Sequence, residues 1–94
     1  MPEERTAVLA RVHGTVQGVY FRGWTKAEAE RRGLTGWVRN EPDGSVTALV
    51  AGPPADVDEF IRLLWKGPPS AAVESVSTEP TVPPRWPARF EIVR

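Results

Sequence analysis

The tetrapeptide Glu41-Pro42-Asp43-Gly44 is the strongest single constraint in the sequence. Pro at the second turn position, Asp after it and Gly in a left-handed slot specify a type I turn closed by a bulge. Its flanks, residues 35–40 and 45–51, read as strands, so a hairpin is fixed near the middle of the chain. Everything else must pack around it. Residues 54–66 place Val57, Phe60, Ile61 and Leu64 at i, i+3, i+4 and i+7, the stripe of a helix that faces a core. Asp56, Asp58 and Glu59 lie near its start and Lys66 in its last turn, and Gly67-Pro68-Pro69 stops it. Before the hairpin, residues 24–32 are rich in Ala, Glu, Lys and Arg and predict a second helix, with Gly33 at C′ and Glu28 and Arg32 spaced as an i,i+4 pair. Residues 7–13 alternate in the manner of a half-buried strand. Segments 73–79 and 88–93 fit further strands around the Pro-rich stretch 80–87, expected to be an ordered surface loop. The order is β-α-β-β-α-β, the split βαβ or ferredoxin-like arrangement. The expected class is α+β, with two helices packed on one face of a mainly antiparallel sheet.

A chain of 94 residues has room for one modest core, and a single domain over residues 1–94 is expected. Twelve basic and 12 acidic residues leave a formal net charge of zero, which speaks against a partner that is a polyanion or an anionic membrane. Ten of the 12 cations are Arg, the better residue for planar anion recognition, although so broad a bias also fits genome composition. The absence of Cys removes disulfides, thiolate catalysis and thiolate metal sites. With His13 the only His and no dense acidic cluster, neither a metal nor another cofactor is expected. Residues 1–6 are polar, unlike a signal peptide, and no apolar run approaches the ~18 residues of a membrane span. The expected setting is the cytoplasm. RNA-recognition domains share this element order and stack bases on aromatics of the central strands. Residues 7–13 and 45–51 contain no aromatic, so no nucleic-acid partner is expected.

The unusual stretch is Gly14-Thr15-Val16-Gln17-Gly18-Val19-Tyr20-Phe21-Arg22, between the first strand and the first helix. Two glycines four apart let the backbone curl and present successive N–H groups as an anion nest at a helix N-terminus. Arg22 adds a fork of donors that can grip two phosphate oxygens. The spacing is neither that of a Walker loop nor that of a dinucleotide fingerprint. On the residues alone, the two glycines also suit a simple turn and Arg22 a solvated charge.

The pattern Gly14-x-Val16-Gln17-Gly18-Val19-x-Phe21-Arg22, followed by Gly33-Leu34-x-Gly36-Trp37-Val38-x-Asn40-x-x-Asp43-Gly44-x-Val46, resembles the double signature of the acylphosphatases. The likeness continues through Gly52-Pro53, Gly67-Pro68-Pro69 and Phe90-x-Ile92, nearly the whole chain. It implies the ferredoxin-like fold and hydrolysis of acyl phosphates to carboxylate and inorganic phosphate, with no metal, cofactor or covalent intermediate. It also assigns roles. Arg22 would bind the phosphate, the backbone of Thr15, Val16, Gln17, Gly18, Val19, Tyr20 and Phe21 would complete the cradle, and Asn40 would position the attacking water. The contrasting reading is a non-catalytic anion-binding or regulatory module on the same fold. Asn at a turn edge also suits local backbone bonding. Gln17 suits a bond to substrate or bonds within the loop, Trp24 suits capping the site or packing, and His13 suits proton transfer or a structural role. Trp37 and Trp65 are expected between sheet and helices, and Trp86 in the loop before the last strand. The expected oligomeric state is a monomer.

Overall fold

The computed structural model describes residues 5–94; residues 1–4, the start of the polar N-terminal stretch, lie outside the described residues. Strand β1 (Thr6–Thr15) leads to helix α1 (Phe21–Arg31), then to β2 (Thr35–Asn40) and β3 (Val46–Gly52), which form the hairpin. Helix α2 (Pro54–Lys66), β4 (Ala72–Thr81) and the short β5 (Phe90–Ile92) complete the chain. The sheet order is β4-β1-β3-β2-β5. β1 pairs antiparallel with β3 and β4, β2 antiparallel with β3, and only the β2–β5 pair is parallel. The expected ferredoxin-like α+β arrangement therefore holds for β1 to β4, and β5 extends the sheet at the β2 edge.

The turn forms as its residues dictate. Gly44 N–H donates to Glu41 O at 3.1 Å, Glu41 N–H to Ser45 O at 2.8 Å, and Gly44 takes φ 94°, a conformation costly for any side chain. Asp43 accepts from the Ser45 amide at 2.9 Å and from the Ser45 hydroxyl at 2.6 Å. These bonds hold the Asp43 carboxyl below the ordinary carboxylate value, the side-chain bond more than the backbone one, with help from the charges of His13 and Arg11.

Alternation along the strands sends Ala10, Val12, Val38, Val46, Ala48 and Val50 to one face. There they meet Phe21 and Ala29 of α1 and Val57, Phe60 and Leu64 of α2. Helix α1 lies over β2 and β5, and α2 over β1 and β4. The opposite face carries a smaller cluster of Ala7, Leu49 and Ala51 with Leu9, Trp37 and Trp86. Trp37 therefore lies on the side away from the helices, correcting its expected place. Its neighbours Gly36 and Val38 already point to the helical side. Trp65 is 50% exposed, because it follows Leu64 and falls off the apolar stripe. The guanidinium of Arg39 sits 4.8 Å from the Trp37 ring centre and that of Arg5 5.3 Å from Trp86. Pro80 and Thr81 belong to β4, so the surface loop starts two residues later than the composition suggests.

Candidate active site

Helix α1 begins at Phe21, three residues earlier than its composition predicts. Tertiary packing sets that start. Phe21 is buried in the core, and the Trp24 ring packs against it with centroids 5.5 Å apart. The residue before the helix, Tyr20, has φ 63° and ψ 22°, and no side chain caps the helix. Among the described residues Tyr20 is the one non-glycine with positive φ, a conformation that costs about 1–3 kcal/mol. Its ring folds back over Gly23, where a Cβ would stand 2.3 Å from Tyr20 Cε1. A side chain at position 23 would push that exposed ring aside, so glycine lets the ring lie over the first turn, despite its low helix propensity.

The consequence is a run of free donors. The first helical bond of α1 is Trp24 N–H to Tyr20 O at 3.0 Å, and no backbone amide from Gln17 to Gly23 donates to an acceptor among the described residues. The positive end of the helix dipole adds to them, and the first turn contains no acid that would compete. Arg22 stands in that turn, and among the described residues it makes no ion pair and no side-chain hydrogen bond. A cation at the positive end of a helix is locally unfavourable. An anion bound there reverses the sign.

A cleft of about 250 Å³ opens at this point. Gly18, Tyr20, Arg22 and Gly23 line it from the loop and helix, and Asn40 and Ile92 from the ends of β2 and β5. Val16 and Phe21 also border it, with side chains packed into the core. The structure thus brings Arg22 and Asn40 to one cleft although they are far apart in sequence. Asn40 Oδ1 is buried and has no hydrogen-bond partner among the described residues. A buried acceptor of this kind is costly unless something in the cleft donates to it.

Three members of the expected cradle do not line the cleft. Thr15 is the last residue of β1 and pairs with Ala72. The Val19 carbonyl accepts from Ser70 Oγ at 2.9 Å. Gln17 Nε2 donates to Glu41 O at 2.8 Å and to Ser45 O at 2.9 Å. The Gln17 side chain therefore ties the loop before α1 to the turn after Asn40. Gly14 lies within β1 at an irregularity in the pairing with β4, so only Gly18, at φ 74°, shapes the loop itself. Trp24 lines a separate hollow with Leu63 and Lys66 and does not cap the site. His13 pairs with Ser75 in the sheet, on the face carrying Arg11 and near Asp43. A larger hollow of about 480 Å³ lies between Arg11, Thr47 and Ser77, but the backbone there is committed to the sheet ladder. Gly23 and Ile92 line the cleft although the sequence assigns neither a place in it. Gly23 could be found only from the Tyr20 backbone, and Ile92 only from the pairing of β5.

The site can be set against known proteins. The acylphosphatase family model matches residues 8–92. The chain is 54% identical over 94 residues to the acylphosphatase of Rhizobium meliloti (strain 1021), covering 100% of this chain and 99% of that protein. The crystal structure of acylphosphatase from Bacillus subtilis superimposes with a TM-score of 0.90 at 35% identity, covering 95% of this chain and 99% of that one. An acylphosphatase structure from Coxiella burnetii gives a TM-score of 0.89 at 36% identity over 95% and 93% of the two chains. With the motifs, the fold and whole-chain likeness in agreement, the chain belongs to the acylphosphatase family.

Proposed function

We propose that the chain hydrolyses the carboxyl–phosphate anhydride of acyl phosphates by direct attack of a water positioned by Asn40. The phosphate is held by Arg22 and by free backbone amides of loop 15–21, Gly18 and Tyr20 foremost. The observation that carries this reading is the buried, unpartnered Asn40 Oδ1 in the same cleft as Arg22 and the free amides. Simple anion binding has no use for a lone acceptor beside a phosphate. A water that donates one hydrogen to Oδ1 has its oxygen lone pair free to face phosphorus.

The chemistry matches the residues present. The water oxygen bonds to phosphorus while the bond from phosphorus to the acyl oxygen breaks. The electron pair leaves on a carboxylate, whose conjugate acid has a pKa of about 4. Such a group departs without protonation, so no general acid is needed. Among the described residues no Asp, Glu, His or Lys lines the cleft, and the proton of the attacking water passes to a phosphate oxygen. What remains is positioning and charge stabilisation on the equatorial oxygens. The reading carries with it a small-molecule substrate, inorganic phosphate as product, and a single domain acting as a cytoplasmic monomer.

The test uses purified protein, an aryl acyl phosphate and a chelator. Hydrolysis should survive the chelator and be inhibited by inorganic phosphate. Arg22→Gln should lower turnover by ~10²–10³ and weaken inhibition by phosphate, as expected for removing one preorganised donor. Asn40→Ala should retain inhibition by phosphate and lose most turnover. Near-normal turnover in Asn40→Ala would remove the water-positioning role, and folded wild type without hydrolysis would leave only an anion-binding module.

A further inference from the structure

An acyl phosphate has two ends, and the donors described so far account for one. The rest of the cleft is apolar. Tyr20 is 76% exposed and Ile92 43% exposed, and both border the cleft that contains Arg22 and Asn40. The backbone sets the direction in which each side chain leaves the chain. The left-handed conformation of Tyr20 turns its ring back over Gly23, where the missing Cβ makes a seat for it. Ile92 is set by the parallel pairing of β5 with β2, in which Ile92 stands opposite Val38 and Val93 N–H donates to Val38 O at 2.9 Å. Packing explains neither the strained backbone at Tyr20 nor an isoleucine left exposed in the cleft.

We infer that Tyr20 and Ile92 form the subsite for the acyl group and favour substrates with an aromatic or branched apolar acyl chain. The inference rests on the reading of Arg22 and the loop amides as the phosphate end. A tyrosine ring, with two side-chain torsions, and a branched isoleucine bind an apolar group at little cost in conformational entropy, because each has few rotamers to lose. The size of the cleft, about 250 Å³, lies below the ~300–1,000 Å³ typical of pockets for drug-sized ligands. It suits a phosphate with one ring or a short branched chain attached.

Selectivity is a difference between substrates, so the readout is the ratio of kcat/KM for benzoyl phosphate to that for acetyl phosphate within each protein. Any loss common to both substrates, including a disturbed cradle, cancels in that ratio. Tyr20→Ala should lower the ratio up to about tenfold, the value of one aromatic contact. Ile92→Ala should lower it about threefold, and Tyr20→Phe, which keeps the ring, should preserve it. An unchanged ratio in both Tyr20→Ala and Ile92→Ala would overturn the subsite while leaving the phosphate site standing. A folded wild type that hydrolyses neither substrate would overturn the reading of the site and the subsite with it.

Discussion

The two helices of this protein lie side by side on one sheet face and begin in opposite ways. Helix α2 enters through Pro53 and Pro54, has Asp56 in its first turn and Lys66 in its last, and turns Val57, Phe60 and Leu64 into the core. Each of these choices stabilises a helix locally. Helix α1 enters through a left-handed Tyr20 with no capping side chain and no acid in its first turn, and has Arg22 and Gly23 as its second and third residues. Its far end is ordinary, with Arg31 in the last turn and closing bonds from Arg32 to Ala29 O and from Gly33 to Glu30 O. Glu28 and Arg32 pair at 2.6 Å as their spacing predicts. The broken rules are confined to one helix end, and that end faces the cleft. Local rules that fail together at one place mark where the fold serves a ligand instead of itself.

The sharpest way to break this contrast is to remove one buried ring from each helix. Phe21 and Phe60 are both almost wholly buried, and Phe→Ala at such sites costs about 3–5 kcal/mol. Both variants should show a large drop in urea midpoint. Phe60→Ala should keep the turnover of each folded molecule, whereas Phe21→Ala should also lose turnover, because Phe21 anchors the turn that presents Arg22. Equal loss of turnover in the two variants would show that the α1 entry has no special part in the site.

The same contrast explains what could be read before the fold was known. The limits of α2, 54–66, follow from its own residues and match the structure to the residue. The start of α1 is missed by three residues because no local signal marks it; the core and the Tyr20 ring do. The hairpin is legible because its turn chemistry is local. The exposure of Trp65 and the side taken by Trp37 were legible in principle, from helix phase and strand parity. Arg22 and Asn40 emerge from the double motif, but their meeting in one cleft depends on the sheet order. Ile92 enters only through a parallel pairing that no periodicity announces.

A middle-sized effect tests how the α1 entry is held. Where α2 is fixed locally by two prolines, the loop before α1 is fixed from a distance by Gln17, through its bonds to Glu41 O and Ser45 O. Removing both bonds with Gln17→Ala should cost about 1–3 kcal/mol, the net worth of two hydrogen bonds, since Glu41 O and Ser45 O each keep a backbone donor. It should also lower kcat several-fold while the inhibition constant for inorganic phosphate stays put, since the bonded turn follows directly on Asn40. If phosphate inhibition weakens as much as kcat falls, Gln17 holds the cradle and not the turn.

The smallest expected effect lies in the turn that receives Gln17, and it depends on pH. Asp43 is ionised while it accepts from Ser45, and its carboxyl is held below the ordinary value first by the Ser45 hydroxyl and then by the Ser45 amide. A carboxyl whose pKa falls on folding adds stability above its unfolded value of about 4, and that stability is lost as the pH drops through the folded value. Asp43→Ala should therefore be less stable than wild type at neutral pH, with the gap constant down to about pH 5 and closing in the acid range below about 4. Urea midpoints of both proteins across that range measure it. A gap that stays constant into acid would mean that Asp43 acts through the geometry of its hydrogen bonds alone, and that the support reaching the α1 entry through Gln17 does not depend on charge.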